Sequence, residues 1–197
     1  SFLGYLIGSV PFGLILTKMS GLGDIRNIGS GNIGATNVLR TGNKKIALFT
    51  LILDGSKGAL ALFLLTSLLT KASIFNIYNF ELIMSVVAIS SVLGHCFPIW
   101  LNFKGGKGVA TYVGILFSIN IILGLIFFSS WAFIFLLFRY SSLSSIIGSL
   151  SIPIYILITG QINDAIFFAI MFILIFFTHR ENIKRLKNKE ESKTKIY

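Results

Sequence analysis

Apolar runs of membrane-spanning length recur from one end of this chain to the other, and they leave almost no sequence for a water-soluble fold. They fall at roughly 2–19, 46–70, 81–95, 109–120, 121–138, 144–160 and 164–178. A spanning helix needs about 20 mostly apolar residues, so seven would take roughly 140 of the 197 residues. A mean hydropathy of +0.85 and a charged content of 12% agree with that density. Only three prolines, with abundant Leu, Ile and Phe, favour helices over barrel strands, which would alternate every second residue. The expectation is an all-α integral membrane protein: a single polytopic domain over residues 1–197, with a basic tail at 180–197.

The run at 109–138 is too long for one ordinary span, and Asn120 and Gly124 mark its best break, giving a tight hairpin of two spans. The fourth segment is short, which leaves a six-span arrangement open. Charge placement favours seven. An odd count puts the connections at 20–45, 96–107 and 139–143, with their flanks, on one side together with the tail from His179. That side then holds fifteen of the seventeen Lys and Arg residues, against Lys71 on the other and Lys57 within a span. The positive-inside bias sets that side and the C-terminus in the cytoplasm and the N-terminus outside. The first run lacks a small-residue cleavage site and reads as a span rather than a signal peptide. The formal charge of +10 does not call for nucleic acid, because no base-stacking aromatics are interleaved with the basic residues. Membrane lipids with anionic headgroups are the better partner of the lysine-rich tail.

Two connections concentrate the polar chemistry. Residues 23–42 hold five glycines, three asparagines and two arginines, more than a solvated connector needs. Ser30, Asn32, Thr36 and Asn37 lie where the backbone can bend into an anion nest, with Arg40 as a bidentate phosphate clamp. The second connection runs from Gly94-His95-Cys96-Phe97-Pro98 to Lys104-Gly105-Gly106-Lys107-Gly108. Its glycines offer backbone N–H groups and its two lysines positive charge, a combination suited to a phosphate at the bilayer edge. The spacing of an ATP-hydrolysing P-loop is absent. Two histidines and one cysteine supply neither a zinc site nor an internal disulfide. Cys96 reads as packing before it reads as a nucleophile, and no cofactor is expected.

Three further groups are singled out. Asp54 and Lys57 share a helical face within the second span, and an unpaired charge there costs about 2.5–3.5 kcal/mol on the insertion scale, which argues for pairing or a polar cavity. Arg139 and Tyr140 read as an interfacial anchor, with Ser142 beside them as a hydrogen-bond donor. His179 and Asn182 face the same way if the last helix continues through them. Alone, His179 reads as a solvated interfacial histidine. Neither histidine has an aspartate five residues on, since Trp100 and Lys184 stand there, and no Gly-x-Ser-x-Gly elbow appears.

Four blocks together carry a resemblance: Gly-Ser-Gly-Asn-Ile-Gly-Ala-Thr-Asn-Val-Leu-Arg from Gly29; Gly-His-Cys-Phe-Pro through Lys-Gly-Gly-Lys-Gly-Val-Ala-Thr, ending at Thr111; Arg-Tyr-Ser-Ser from Arg139; and His-Arg-Glu-Asn-Ile-Lys-Arg-Leu from His179. In these the chain resembles the bacterial acyl-phosphate:glycerol-3-phosphate acyltransferase (PlsY type) family. The resemblance implies a small seven-helix enzyme of the bacterial inner (cytoplasmic) membrane with its active site facing the cytoplasm. It would move a fatty acyl group from acyl phosphate to the 1-hydroxyl of glycerol 3-phosphate, giving lysophosphatidic acid and inorganic phosphate for phospholipid synthesis. Functional coupling to the enzyme that makes acyl phosphate goes with that role.

Carried over residue by residue, the resemblance gives Ser30, Arg40, Lys104 and Ser142 to the phosphate of glycerol 3-phosphate, and His179 and Asn182 to its hydroxyls. Gly105, Gly106, Lys107 and Gly108, with Thr36, would receive the acyl-phosphate headgroup; Asn32 joins the binding set, and His95 and Asn37 support loop geometry. Lys104, His179 and Asn182 form the catalytic set. The base is either His179 or the substrate's own phosphate. Where the family usually carries a glycine after the last Arg-Leu, this chain has Asn188-Lys189, which bears on the tail's conformation. The competing class, a transporter of phosphorylated anions, would need polar groups along several span interiors, and here they gather on one face of the membrane.

Overall fold

The first apolar run does not form one helix. Pro11 has no amide N–H to continue it, and the run divides into α1 (Phe2–Gly8) and α2 (Phe12–Met19). This is seen in a computed structural model that describes residues 1–71 and 77–194. After α2 come a 3₁₀ turn at Ile25–Asn27, the short α3 (Ala35–Leu39), then α4 (Lys44–Lys71) and α5 (Ile77–Cys96). A second 3₁₀ turn at Ile99–Leu101 leads to α6 (Val109–Ile119). The remaining helices are α7 (Ile121–Phe138), α8 (Ser141–Ile158), α9 (Ile162–Thr178) and α10 (Arg180–Lys187). Ser1–Ser118 form one compact unit, and the chain from Ile119 onward forms a second.

In the first unit, α1 packs against α4 and α5, and α2 against α4. Glycines set the distance: a Cβ on Gly8 would collide with the Ser91 carbonyl, and one on Gly94 with the Tyr5 carbonyl. Gly4 and Gly8, one turn apart, thus let α1 lie backbone to backbone on α5, where lipid supplies no hydrophobic drive for association. The same device joins α4 to α6, where Gly58 faces the Thr111 carbonyl and Gly114 that of Gly55. Below α2, Leu14, Ile25, Ile33, Val38 and Ala47 form a buried cluster with Leu101 packed on it. That contact ties the second connection to the first.

In the second unit α8 lies against both α7 and α9. It can do so because Ser144, Ser145, Gly148 and Ser149 on its buried faces are small, and their hydroxyls bond back to the helix, which satisfies them in an apolar setting. The outward face of α7 is left to Phe128, Phe133, Leu136 and Leu137, all exposed, as a lipid-facing helix requires.

Helices stand over all seven predicted apolar segments, and the break at Asn120 is present: its side chain accepts the Ile122 N–H at 2.8 Å and starts α7. Among the described residues, five helical stretches are long and apolar enough to cross a membrane, and a sixth arises if α9 and α10 count as one span bent by 61°. The eleven residues of α6 reach about 16 Å, short of the roughly 30 Å hydrocarbon core. The connection that follows Lys71, at 72–76, and the last three tail residues, at 195–197, lie outside the described residues.

Candidate active-site residues

The first connection is folded around one amide. Asn37 is buried, and its Nδ2 donates to the carbonyls of Ile25, Ile28 and Asn32 at 2.8–3.0 Å, while Oδ1 accepts the Ser30 N–H at 3.0 Å. Asn32 closes a smaller turn by accepting the Gly34 N–H at 3.0 Å. Gly29 has φ +56°, and a Cβ there would strike Asn37 Oδ1 and the Arg40 side chain. A glycine is needed both for that backbone and for Arg40 to lie across it. The result buries the organising amide and leaves Ser30, Thr36 and Arg40 on the exposed surface. The two arginines part company here. Arg26 forks onto Asp24, donating from Nε at 2.9 Å, and its hydrogen bonds hold the Asp24 carboxyl well below the usual carboxylate range.

The second connection turns through two consecutive residues of positive φ, Asn102 (51°) and Phe103 (60°), which sets Lys104 out into solvent. The chain then runs back against the end of α5, where Gly105 N–H donates to the Cys96 carbonyl and Gly106 N–H to the His95 carbonyl, each at 3.0 Å. Those are carbonyls that a helix end leaves without intrahelical partners. The expectation that the Gly105 and Gly106 N–H groups hold an anion is therefore corrected, because the fold already uses both. The first N–H groups of α6, at 109–111, are the donors that helix geometry leaves over beside Lys107 and Gly108. Gly108 is required by φ +84° and by Cys96 Sγ, against which a Cβ would press. Cys96 is buried beneath it, placed as a packing residue.

In the second unit the last helix does not run straight through His179. The chain bends there by 61°, with His179 closing α9 and opening α10. His179 is buried rather than solvated. Its Nδ1 lies 2.8 Å from the Ile175 carbonyl; a carbonyl can only accept, so Nδ1 carries hydrogen and the basic lone pair of the neutral ring sits on Nε2.

Sequence reasoning missed Glu191. Its Oε1 accepts from Ser142 Oγ and Asn182 Nδ2, both at 2.6 Å, and Oε2 accepts from Arg185 Nε at 2.7 Å. Burial pushes this carboxyl up, but the three hydrogen bonds and the Arg185 charge outweigh it, so Glu191 stays below the ordinary glutamate range. The available signal was an adjacent pair of glutamates, Glu190 and Glu191, in an otherwise lysine-rich tail. Ser142 has one hydroxyl hydrogen, and in this structure it is donated to Glu191. The tail departure is also resolved. Lys189 takes the left-handed conformation, φ 60°, with Lys189 N–H on the Leu186 carbonyl and Glu190 N–H on that of Arg185. This is a Schellman close with lysine in the glycine position.

Lipid-facing helices whose polar side chains gather in basic, glycine-rich connections define a small helical integral membrane protein built for polar chemistry at its connections. A family model described as glycerol-3-phosphate acyltransferase matches residues 1–189, and the chain belongs to that family. It is therefore an acyltransferase. A glycerol-3-phosphate acyltransferase of Pelagibacter ubique is 58% identical over 98% of this chain and 95% of its own length. One of Brucella canis is 50% identical, over 96% and 89%. The crystal structure of PlsY (YgiH), an integral membrane glycerol 3-phosphate acyltransferase, in its glycerol 3-phosphate form superposes with a TM-score of 0.85 at 38% identity, covering 98% of this chain and 94% of that one. The lysophosphatidic acid form of the same enzyme gives 0.83 at 36% identity, over 98% and 92%.

Proposed function

We propose that this acyltransferase takes its acyl group from acyl phosphate and delivers it to the 1-hydroxyl of sn-glycerol 3-phosphate. Lysophosphatidic acid and inorganic phosphate result, at the entry to phospholipid synthesis. The observation that carries the reading is the pairing of exposed cations, Arg40 and Lys104, with glycine turns whose anchors are buried. Two anionic substrates repel each other, and fixed positive charge is what brings them together.

Acyl phosphate is already activated, so no enzyme nucleophile is needed, in keeping with the burial of Cys96. The substrate hydroxyl oxygen bonds to the acyl carbonyl carbon, the carbon–oxygen bond to phosphate breaks, and phosphate leaves. The hydroxyl proton goes to His179 Nε2 or to a substrate phosphate oxygen. Ser30, Arg40 and Lys104 hold the glycerol 3-phosphate phosphate, joined by Ser142 when its hydroxyl turns from Glu191. Asn182 and His179 orient the glycerol hydroxyls. Lys107, Gly108, Thr36 and the α6 N-terminus receive the acyl-phosphate headgroup, while Asn32, Asn37, His95, Gly105 and Gly106 keep the connections in shape. The chain is taken as a single polytopic domain of about seven crossings in the inner membrane, N-terminus outside and active site cytoplasmic. The charge asymmetry supports that orientation, and coupling to the enzyme that makes acyl phosphate follows from the donor.

The test is phosphate release by the purified protein in lipid, given palmitoyl phosphate and glycerol 3-phosphate, beside a reaction with palmitoyl-CoA. The reading expects release that needs both substrates and no product from the thioester. Turnover with the thioester alone would overturn the choice of donor.

A further inference from the structure

Asp54 lies ten residues into α4, about 15 Å from its start, and is 1% exposed. Its carboxylate Oδ1 accepts from Lys57 Nζ at 2.9 Å, one turn along. Lys57 is no better exposed, at 3%, and also donates to the Val10 carbonyl at 3.0 Å, in the break that Pro11 makes between α1 and α2. A buried pair of this kind needs its remaining valences satisfied, and here they point to one place. On one side of Asp54 is His95 of α5, whose Nδ1 is 3.7 Å from Asp54 Oδ1 and has no hydrogen-bond partner. The far edge of that imidazole, Nε2, fills the space a Cβ on Gly106 would need. On the other side, the Asp54 carbonyl accepts from Thr111 Oγ1 of α6 at 2.9 Å. His95 precedes the glycine stretch of the second connection and Thr111 follows it, so residue 54 meets both ends of the loop, its carboxylate at His95 and its main chain at Thr111.

We propose that Asp54 and Lys57 are positioning residues for the 104–108 loop, acting through His95. This rests on the reading of that loop as a substrate-binding element. The pair contacts no substrate. Lys57 fixes the carboxylate against the broken first span, the carboxylate backs the imidazole at 3.7 Å, and the imidazole sets the plane on which Gly106 lies.

The experiment is steady-state acyl transfer by Asp54→Asn, His95→Asn, their double variant, and Thr111→Val in the purified full chain in lipid vesicles, with thermal melting alongside. His95→Asn buries no charge, so it reports even if Asp54→Asn unfolds, and Thr111→Val probes the main-chain tie at the other end of the loop. The expected result is a rise of about tenfold in KM for acyl phosphate in His95→Asn and a smaller one in Thr111→Val, with kcat changed less than threefold and melting preserved. Asp54→Asn, where folded, is at least as impaired, and adding it to His95→Asn costs nothing further. Wild-type KM values in His95→Asn, or multiplicative losses in the double variant, would overturn the proposal. Inactivity of the wild type with acyl phosphate would instead overturn the function on which it rests.

Discussion

In the first connection the organising group is a neutral amide, Asn37, which donates inward to carbonyls and leaves Ser30 and Arg40 outside. In the last block it is a carboxylate, Glu191, which accepts from Ser142, Asn182 and Arg185. The amide binds chiefly backbone, with Arg40 reaching its oxygen at 3.5 Å, and so shapes a loop. The carboxylate binds three side chains, two of them in the proposed substrate set, and so commits them to one orientation. The first arrangement is indifferent to pH; the second depends on a charge delivered by the tail.

Removing the amide should cost most. Asn37→Ala strips three carbonyls and one N–H of their partner, and each buried orphan costs about 1–3 kcal/mol. With partial rehydration, about 3 kcal/mol of stability is expected to go, read by thermal melting, and acyl transfer should fall at least a hundredfold. Asn37→Asp should rescue neither, because a carboxylate would face the same carbonyls.

Glu191→Gln keeps the size but loses the charge and turns an amide toward Arg185. Charge-assisted bonds are worth about 1.5–3 kcal/mol each, so a loss near 2 kcal/mol is expected, with a raised KM for glycerol 3-phosphate. Acid should imitate that variant. The folded pKa of Glu191 is depressed, so its contribution is complete above the unfolded value of about 4.3 and is lost as pH falls through the folded one. Amide exchange at Thr194, whose N–H holds the Arg139 carbonyl, should accelerate in that window while exchange at Ser30 does not. The smallest effect is a gain: Lys189→Gly relieves a left-handed lysine and should add about 1 kcal/mol, seen as a higher melting temperature and slower exchange at Glu190.

Much of this was legible before any coordinates. Seven apolar runs gave the helices, and the polar side chain of Asn120 gave the hairpin break. The support role of Asn37 comes from the family resemblance, since the residues alone place it in an anion nest. Other features depended on chain reversal, which periodicity does not encode. The use of the Gly105 and Gly106 N–H groups by α5 follows from the turn at Asn102 and Phe103, where Asn is a residue type that visits positive φ but Phe seldom does. The burial of His179 follows from a bend that nothing in its helix marks, and Glu191 finds Ser142 only after the chain has crossed the unit twice. The split of the first span was written in Pro11, yet its consequence, a carbonyl for Lys57, needed α4 in place.

Under the proposed function, Arg40 beside the buried amide and Asn182 beside the Glu191 carboxylate bind the same substrate. The direct measurement is KM and kcat for glycerol 3-phosphate in Arg40→Ala and Asn182→Ala, at saturating acyl phosphate, with melting temperatures recorded. Both variants are predicted to stay folded and to raise KM for glycerol 3-phosphate at least tenfold. A change confined to one of them, or one that falls on acyl phosphate instead, would contradict it.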